Sequence, residues 1–592
     1  MSLVNQVKSK LLAREYKDVF MLLRSAENEV LLQTESMEMV SALVDTLIEA
    51  RTLNEAKLLS LSEDLLKLVV EKCLPQEVLL ELLEKVETTK DDEIFTSLLK
   101  VLQVALLRLN ESKVRTLEWS LNTILSYINS IQLPDYVSKV GTDEEKLLEC
   151  DETIRRVLLL YMTILLFLEP IWKTLNSNDI IFKTTSATRK NVVICFILQL
   201  IGNHLIYLDV QHKPCKTTDA GVPEDAKTYS RQVAEDLMST VCSLLGDPLL
   251  LLPYGERRLR WSGRRHQNNT LTQDIFMNEE KCPILALAMF HYLLLGEDVL
   301  LNTAPTVYTQ RYIFEMGLYY CTKLISNENI VVHHKGLILA KKLLDKLGPE
   351  MLSPDNLDVE IHRTFCESLS NLIVFSSNEK HRKDGTLLLR NYILQFDSEG
   401  RYLVIANLFK MVQHNGLHSY VATIYKDLVS KELSCSSIPS TWYTGKSLKH
   451  LLLTEICVLK NGIETDLVEN ADTIITGLNV LRFLLLRDRL NQTSIWEYTR
   501  EIEQQYLDPL RKSINLAKAH FTEERSSIAQ APECINSNSV DVSISMMNGG
   551  SLPELTKEKR LELLTHAMNQ FDLMECLLAR VLDFMCFKPF TA

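Results

Sequence analysis

Turn-forming residues are scarce: 18 glycines and 16 prolines stand among 592 residues, roughly half of the ~12% that these two types average together. Such a chain has few tight turns to make. Positive charge is also short, with 64 Lys and Arg against 77 Asp and Glu, a formal net charge of −13. That balance opposes non-specific binding to phosphate backbones, which needs a summed positive field. No C-x-x-C string occurs, and the 13 cysteines are scattered singly from Cys73 to Cys586. Without paired spacing or a signal peptide, this predicts reduced, mostly buried thiols and a cytoplasmic or nuclear protein. The start, Met1 to Lys10, holds no apolar run of signal-peptide length.

Local catalytic signatures are missing too: there is no G-x-G-x-x-G, H-E-x-x-H or G-x-S-x-G string. Thr444-Gly445-Lys446-Ser447 copies only the tail of a phosphate-binding loop, since Ser440 stands where that loop requires its first glycine. His362 and Cys366, one helical turn apart, lack a second ligand pair, and the adjacent His333 and His334 point to different faces. The N-x-S/T strings at Asn110, Asn268 and Asn491 mean nothing without secretion. The sequence therefore predicts no enzyme, cofactor, metal site or small-molecule substrate. Val157 to Leu168 is too short to span a bilayer, and Val192 to Leu208 is interrupted by Gln199, Asn203 and His204. Both read as buried helices, with no membrane role.

What is abundant is leucine at helical spacing, in a chain that is 46% hydrophobic. It reads as all-α. Helical patterns cover Ser36 to Ala50, Pro75 to Val86, Asp92 to Leu109 and Lys113 to Ile131, and Pro75 followed by Glu77 is a standard helix opening. Short connections at roughly 40 residues per helix pair predict HEAT-like repeats, an α-solenoid. Longer connections fall at 132–144, 176–189 and 209–223, and the longest runs from 247 to 272.

The last holds Arg257, Arg258, Arg260, Arg264 and Arg265 beside Trp261. The cluster reads either as a contact for phosphate or an acidic partner or, more simply, as a solvated loop; no nucleic-acid-binding fold surrounds it. A soft boundary placed at 247–281 separates N-terminal repeats (1–246) from C-terminal ones (282–527). The latter include patterns at 283–295, 307–325, 330–347, 359–375 and 380–396, and a helix from Ile495 to Arg525 that Pro509 should kink or break. A Ser-, Asn- and Gly-rich linker (528–555) leads to a last helix with Leu564, Met568, Phe571 and Leu578 on one face. That face predicts folding back onto the C-terminal repeats.

The most telling stretch runs from Thr441 to Phe521. It opens Trp442-Tyr443-Thr444-Gly445, passes through Gly462-Ile463-Glu464-Thr465-Asp466-Leu467, and enters a long helix from Glu469. At ~100° per residue, Leu467, Ala471, Ile474, Leu478, Leu481 and Leu485 fall within about 40° of one line. Glu469, Asp472, Thr476 and Asn479 lie opposite, while Val480, Phe483 and Leu484 demand neighbours on further sides.

These strings, with Ser/Asx-corner residues Phe396 to Tyr402, the Lys518-Ala519-His520 helix end, Leu74 to Leu83 and Phe571 to Val581, resemble the glomulins. That family comprises helical-repeat proteins that bind the RING subunit of cullin-RING ubiquitin ligases. The resemblance implies a non-catalytic regulator whose C-terminal repeats cap the RING subunit, with its cullin, and exclude the ubiquitin-conjugating enzyme. Family members are also linked to immunophilin binding and vascular development. Candidate partner-binding residues are Trp442, Thr444, Asp472, Asn479, Arg482 and Lys518. A generic solenoid scaffold with another protein partner would share the same fold.

Overall fold

A computed structural model describes residues 2–109, 114–134, 151–176, 188–211, 228–262, 274–434, 439–530 and 557–586. Among these residues no β-strand forms; an isolated bridge pairs Leu352 with Phe396. The all-α repeat architecture expected from periodicity is the one observed.

Contacts divide the chain into two compact units, Met1–Leu347 and Gly348–Ala592. The first begins with α1 (Leu3–Leu12), α2 (Tyr16–Arg24) and α3 (Glu29–Thr34), then α4 (Ser36–Thr52), α5 (Ala56–Lys72), α6 (Pro75–Thr88), α7 (Asp92–Leu107) and α8 (Val114–Asn129). It continues with α9 (Glu152–Asn176), α10 (Arg189–Gly202), α11 (Tyr229–Leu245), α12 (Tyr254–Ser262), α13 (Ile284–His291), α14 (Gln310–Ile325) and α15 (Ile330–Lys346). Helices α4, α6, α8 and α10 pack in succession as one layer, and α5, α7, α9 and α11 as the other. This is what short connections between amphipathic helices produce, since each buries its stripe against the next helix and the next but one.

Local chemistry sets the helix starts. Asp91 accepts from the backbone N–H groups of Glu93 and Ile94 at 2.9 and 3.1 Å, capping α7. Pro75 opens α6 as its spacing predicts. The two apolar stretches are indeed buried: α10 buries Val192 to Leu198 in an unbroken run, and α9 buries Val157, Leu158, Leu160, Tyr161 and Ile164. The segment Arg189–Tyr207 is long and apolar enough to cross a membrane, but 78% of its most apolar window is covered by the fold. Glu169 and Pro170 do not end α9, which continues to Asn176.

The arginine-rich stretch departs from expectation. Arg257, Arg258, Arg260 and Trp261 lie on α12, not on a loop; Arg264 and Arg265 fall outside the described residues. Arg258 is nearly buried and ties α12 to the segment before α13, donating to the Phe276 carbonyl at 3.1 Å and pairing with Glu279 at 2.6 Å. Arg257 sits 5.1 Å from the Tyr254 ring centre. Helix α12 packs on α14, and α13 on both α10 and α14, so the described helices on either side belong to one stack. The chain parts after Leu347, later than the soft boundary read from composition.

The second unit holds α16 (Glu360–Phe375), α17 (Glu379–Leu394), α18 (Ser398–Met411), α19 (Asn415–Ser434), α20 (Gly445–Leu451), α21 (Ala471–Arg487), α22 (Thr499–Ile502), α23 (Asp508–Gln530) and α24 (Lys557–Cys586). The 396–402 string is a helix-to-helix corner. Asp397 caps α18 by accepting from Gly400 N–H at 2.7 Å, and the buried Arg401 pairs with Glu350 at 2.8 Å. The helix expected from Ile495 to Arg525 begins with a 3₁₀ turn at Ile495–Glu497 and is continuously helical from Thr499 onward, through α22 and a π-helical turn at Glu503–Leu507 into α23, with Pro509 just after the π-helical turn. It continues to Gln530, past the expected linker start at Ile528; most of the linker lies outside the described residues. The last helix does fold back, packing on α21 and α23 with Leu564, Phe571, Met574 and Leu578 buried, while Met568 is half-buried.

Candidate functional site

The site is built around α21. Two left-handed glycines shape its approach: Gly445 at φ +54° and Gly462 at φ +57°, conformations that cost a side-chain-bearing residue energy. Gly445 donates its N–H to the Thr493 carbonyl at 3.0 Å, and its neighbour Tyr443 is 1% exposed. Thr465 closes the turn after Gly462, its Oγ1 donating to the Gly462 carbonyl at 2.8 Å. Asp466 then accepts from Val468 and Glu469 N–H at 2.8 and 3.0 Å, an Asx turn that leads the chain into α21 two residues later than the periodicity placed it.

The six residues of the predicted stripe, Leu467 to Leu485, are all at most 4% exposed. Val480 and Leu484 are buried as well, and Lys426 of α19 lies over the Phe483 ring at 5.9 Å. Helices α19 and α24 supply the cover that the nearly all-round apolar second half required. Gly477 permits the closest approach: a Cβ there would meet the Ile456 carbonyl at 3.0 Å and the Tyr506 hydroxyl at 3.1 Å. Both contacts come from π-helical turns, Leu452–Ile456 and Glu503–Leu507.

The six candidate residues fall into three settings. Asp472 and Asn479 are exposed on one face of α21, two turns and about 10 Å apart along its axis. Arg482, half-buried, lies at the edge of that face, its Nε without a hydrogen-bond partner among the described residues. Trp442 and Thr444 belong to the corner before α20. Trp442 is half-buried with its ring 5.4 Å from that of Tyr402, and Thr444 Oγ1 donates to the Ser440 carbonyl at 3.3 Å. Lys518 is engaged within the unit, its ammonium 2.6 Å from Asp572 and also paired with Glu575 of α24. Partial burial disfavours its charge, but the two carboxylates outweigh this and hold its pKa above the ordinary lysine value.

Sequence reasoning passed over the groups that shape this region. Asp488 is buried and accepts from the Gln492 and Thr493 N–H groups at 2.7 Å each, fixing the corner after α21. Trp496 donates its indole N–H to the Asp488 carbonyl at 2.8 Å. An acidic residue just past a long apolar helix was the available signal. His362 is buried with Nδ1 2.8 Å from the Tyr392 hydroxyl, and Cys366 is buried one turn on. Among the described residues no group of three or more His, Cys, Asp or Glu side chains is placed to hold a metal.

Residues 331–566 match the family described as "Uncharacterised protein family, YAP/Alf4/glomulin". Glomulin of Mus musculus is 24% identical over 574 residues, covering 95% of this chain and 89% of its own length. Glomulin of Homo sapiens is 24% identical over 571 residues with the same shares. This chain is similar to the glomulins along nearly its whole length. The family match spans nearly all of α15, α16 to α23 with the bridge-forming corner at 396–402, and the first third of α24, so it includes α21 and its surroundings. Its dense wording is largely explained by turns and packing: Tyr443, Gly445, Gly462, Thr465 and Leu467 all serve the local structure, whereas Asp472 and Asn479 face solvent.

Proposed function

We propose that this chain is a cytoplasmic, non-catalytic regulator that binds the RING subunit of a cullin-RING ubiquitin ligase and blocks recruitment of the ubiquitin-conjugating enzyme. Similarity to glomulins along nearly the whole chain supports this reading. Most directly, α21 carries an exposed polar face, Asp472 to Asn479, that its own packing does not require. A rigid helix buried on its other sides presents such residues with little entropy left to lose on binding. Inhibition by steric exclusion asks only for occupancy, so no reacting group is needed.

The test uses the full-length chain with a purified cullin-RING catalytic subunit, following both binding and ubiquitin-chain formation. Binding with suppressed chain formation is expected, and Asp472→Arg together with Asn479→Arg should weaken both by at least tenfold without altering the thermal melt. Absence of binding by the unaltered chain would overturn the reading and leave a helical scaffold for another partner.

A further inference from the structure

In the first unit, helices of one layer pack against the next but one. In the second, α16 and α18 leave a wedge between them, occupied by two adjoining hollows of about 520 and 470 Å³ that share Glu367 and Met411 as wall. Together they follow α16 from His362 to Phe375, about 20 Å at 1.5 Å per residue. The walls are mixed: Val404 and Leu408 in the first hollow and Val374 and Phe375 in the second give apolar surface beside polar and charged side chains, and Phe375 is 77% exposed.

Three further observations define what fits. Ser370, 6% exposed, lines the second hollow and its hydroxyl has no hydrogen-bond partner among the described residues, although a helical serine ordinarily bonds to its own preceding turn. The exposed amides of Asn371, Asn407 and Gln413 border the wedge. At the first hollow, Arg363 and Lys410 stand against one carboxylate, Glu367, which Arg363 contacts at 2.8 Å; this end is locally cationic in a chain of net charge −13.

We propose that the α16–α18 wedge is a docking groove for an extended peptide segment of a partner protein, with apolar side chains at alternate positions and acidic residues near one end. An extended backbone has free N–H and C=O groups for the bordering amides and for Ser370, whereas an incoming helix has already paired its own. At about 3.3 Å per residue the groove holds roughly six residues, whose alternate side chains point the same way and enter the hollows. The acidic end lies against Arg363 and Lys410. This assignment is independent of the RING reading.

The test titrates full-length protein into fluorescein-labelled eight-residue peptides that alternate leucine with glutamate or leucine with lysine, read by fluorescence anisotropy. The glutamate peptide should bind at least fivefold tighter than the lysine peptide. Lys410→Glu should reverse or abolish that preference. Ser370→Ala should weaken binding at least threefold while leaving the melt unchanged, because it deletes a hydroxyl that the fold does not pair. Bound peptide should slow amide exchange in 360–375 and 398–414, and Asp472→Arg should leave its affinity as it was. The proposal is overturned by no binding at millimolar peptide, by equal affinity for both peptides, by indifference to Ser370→Ala and Lys410→Glu, or by hollows that take a small apolar dye but neither peptide.

Discussion

Single residues in this protein act through closeness. Gly477 stands where two π-helical turns bring a carbonyl and a tyrosine hydroxyl against the backbone of α21. Gly477→Ala gains helix propensity but must push backbone aside, so we expect net destabilisation of about 1–3 kcal/mol, measured as a lower denaturation midpoint of the second unit. His291 illustrates a different residue-level cost. It is fully buried, stacked on Tyr320 at 4.3 Å, with Nδ1 2.8 Å from the Leu287 carbonyl and Nε2 unpartnered among the described residues. Burial drives its pKa down to about 4, against a smaller opposing effect of the Leu287 hydrogen bond. The unfolded chain protonates at ~6.5 while the folded one resists until about 4, so stability present above pH 6.5 is lost as pH falls through that window. Denaturation at pH 7 and pH 5 should show His291→Phe abolishing about 2 kcal/mol of the loss. An unchanged pH dependence in the variant would remove this account.

At the scale of elements, α24 is the decisive piece. Its apolar face covers α21 and α23, and Phe571 is fully buried edge-on to Phe521 at 5.2 Å. The Lys518 pairs at its border are partly exposed and contribute at most about 1 kcal/mol. Phe571→Ala removes a large buried ring, for which about 3–5 kcal/mol is typical. Hydrogen exchange should therefore accelerate along α24 and the facing sides of α21 and α23 in Phe571→Ala, and change little in Lys518→Gln. The reverse ranking would mean that charge, not packing, holds this helix. Legibility at this scale was uneven. The α21 stripe was readable because burial on one face leaves a 3.6-residue period. The π-helical turn before Pro509 was not, since its widened geometry answers to Tyr506 reaching under α21, a contact 32 residues away in sequence.

The whole molecule consists of two compact units, each with its own core. Stacked repeats derive stability from nearest neighbours, so damage stays near its origin. Denaturant unfolding should show two separable steps, with Phe571→Ala lowering the midpoint of one and His291→Phe affecting the other. A single transition shifted by both substitutions would contradict this. Composition suggested a soft boundary at 247–281, whereas the compact units meet at Leu347. An arginine cluster looks like a loop to any reading of charge, yet Arg258 is drawn inward by the carbonyls of Phe276 and Cys282 and makes α12 part of the stack.

The amino-acid sequence determined the helical class, the helix starts at Pro75 and Asp92, the buried stripe of α21 and the return of the last helix. Each depends on periodicity or on a cap only a few residues long, which local chemistry settles by itself. Tertiary structure alone decided that Lys518 is engaged by α24, that Gly477 admits two foreign turns, that the chain parts at Leu347, and that α16 and α18 stand apart around a groove. Those features arise between segments distant in sequence, where the shapes of two faces, and not the pattern of either, fix the distance between them.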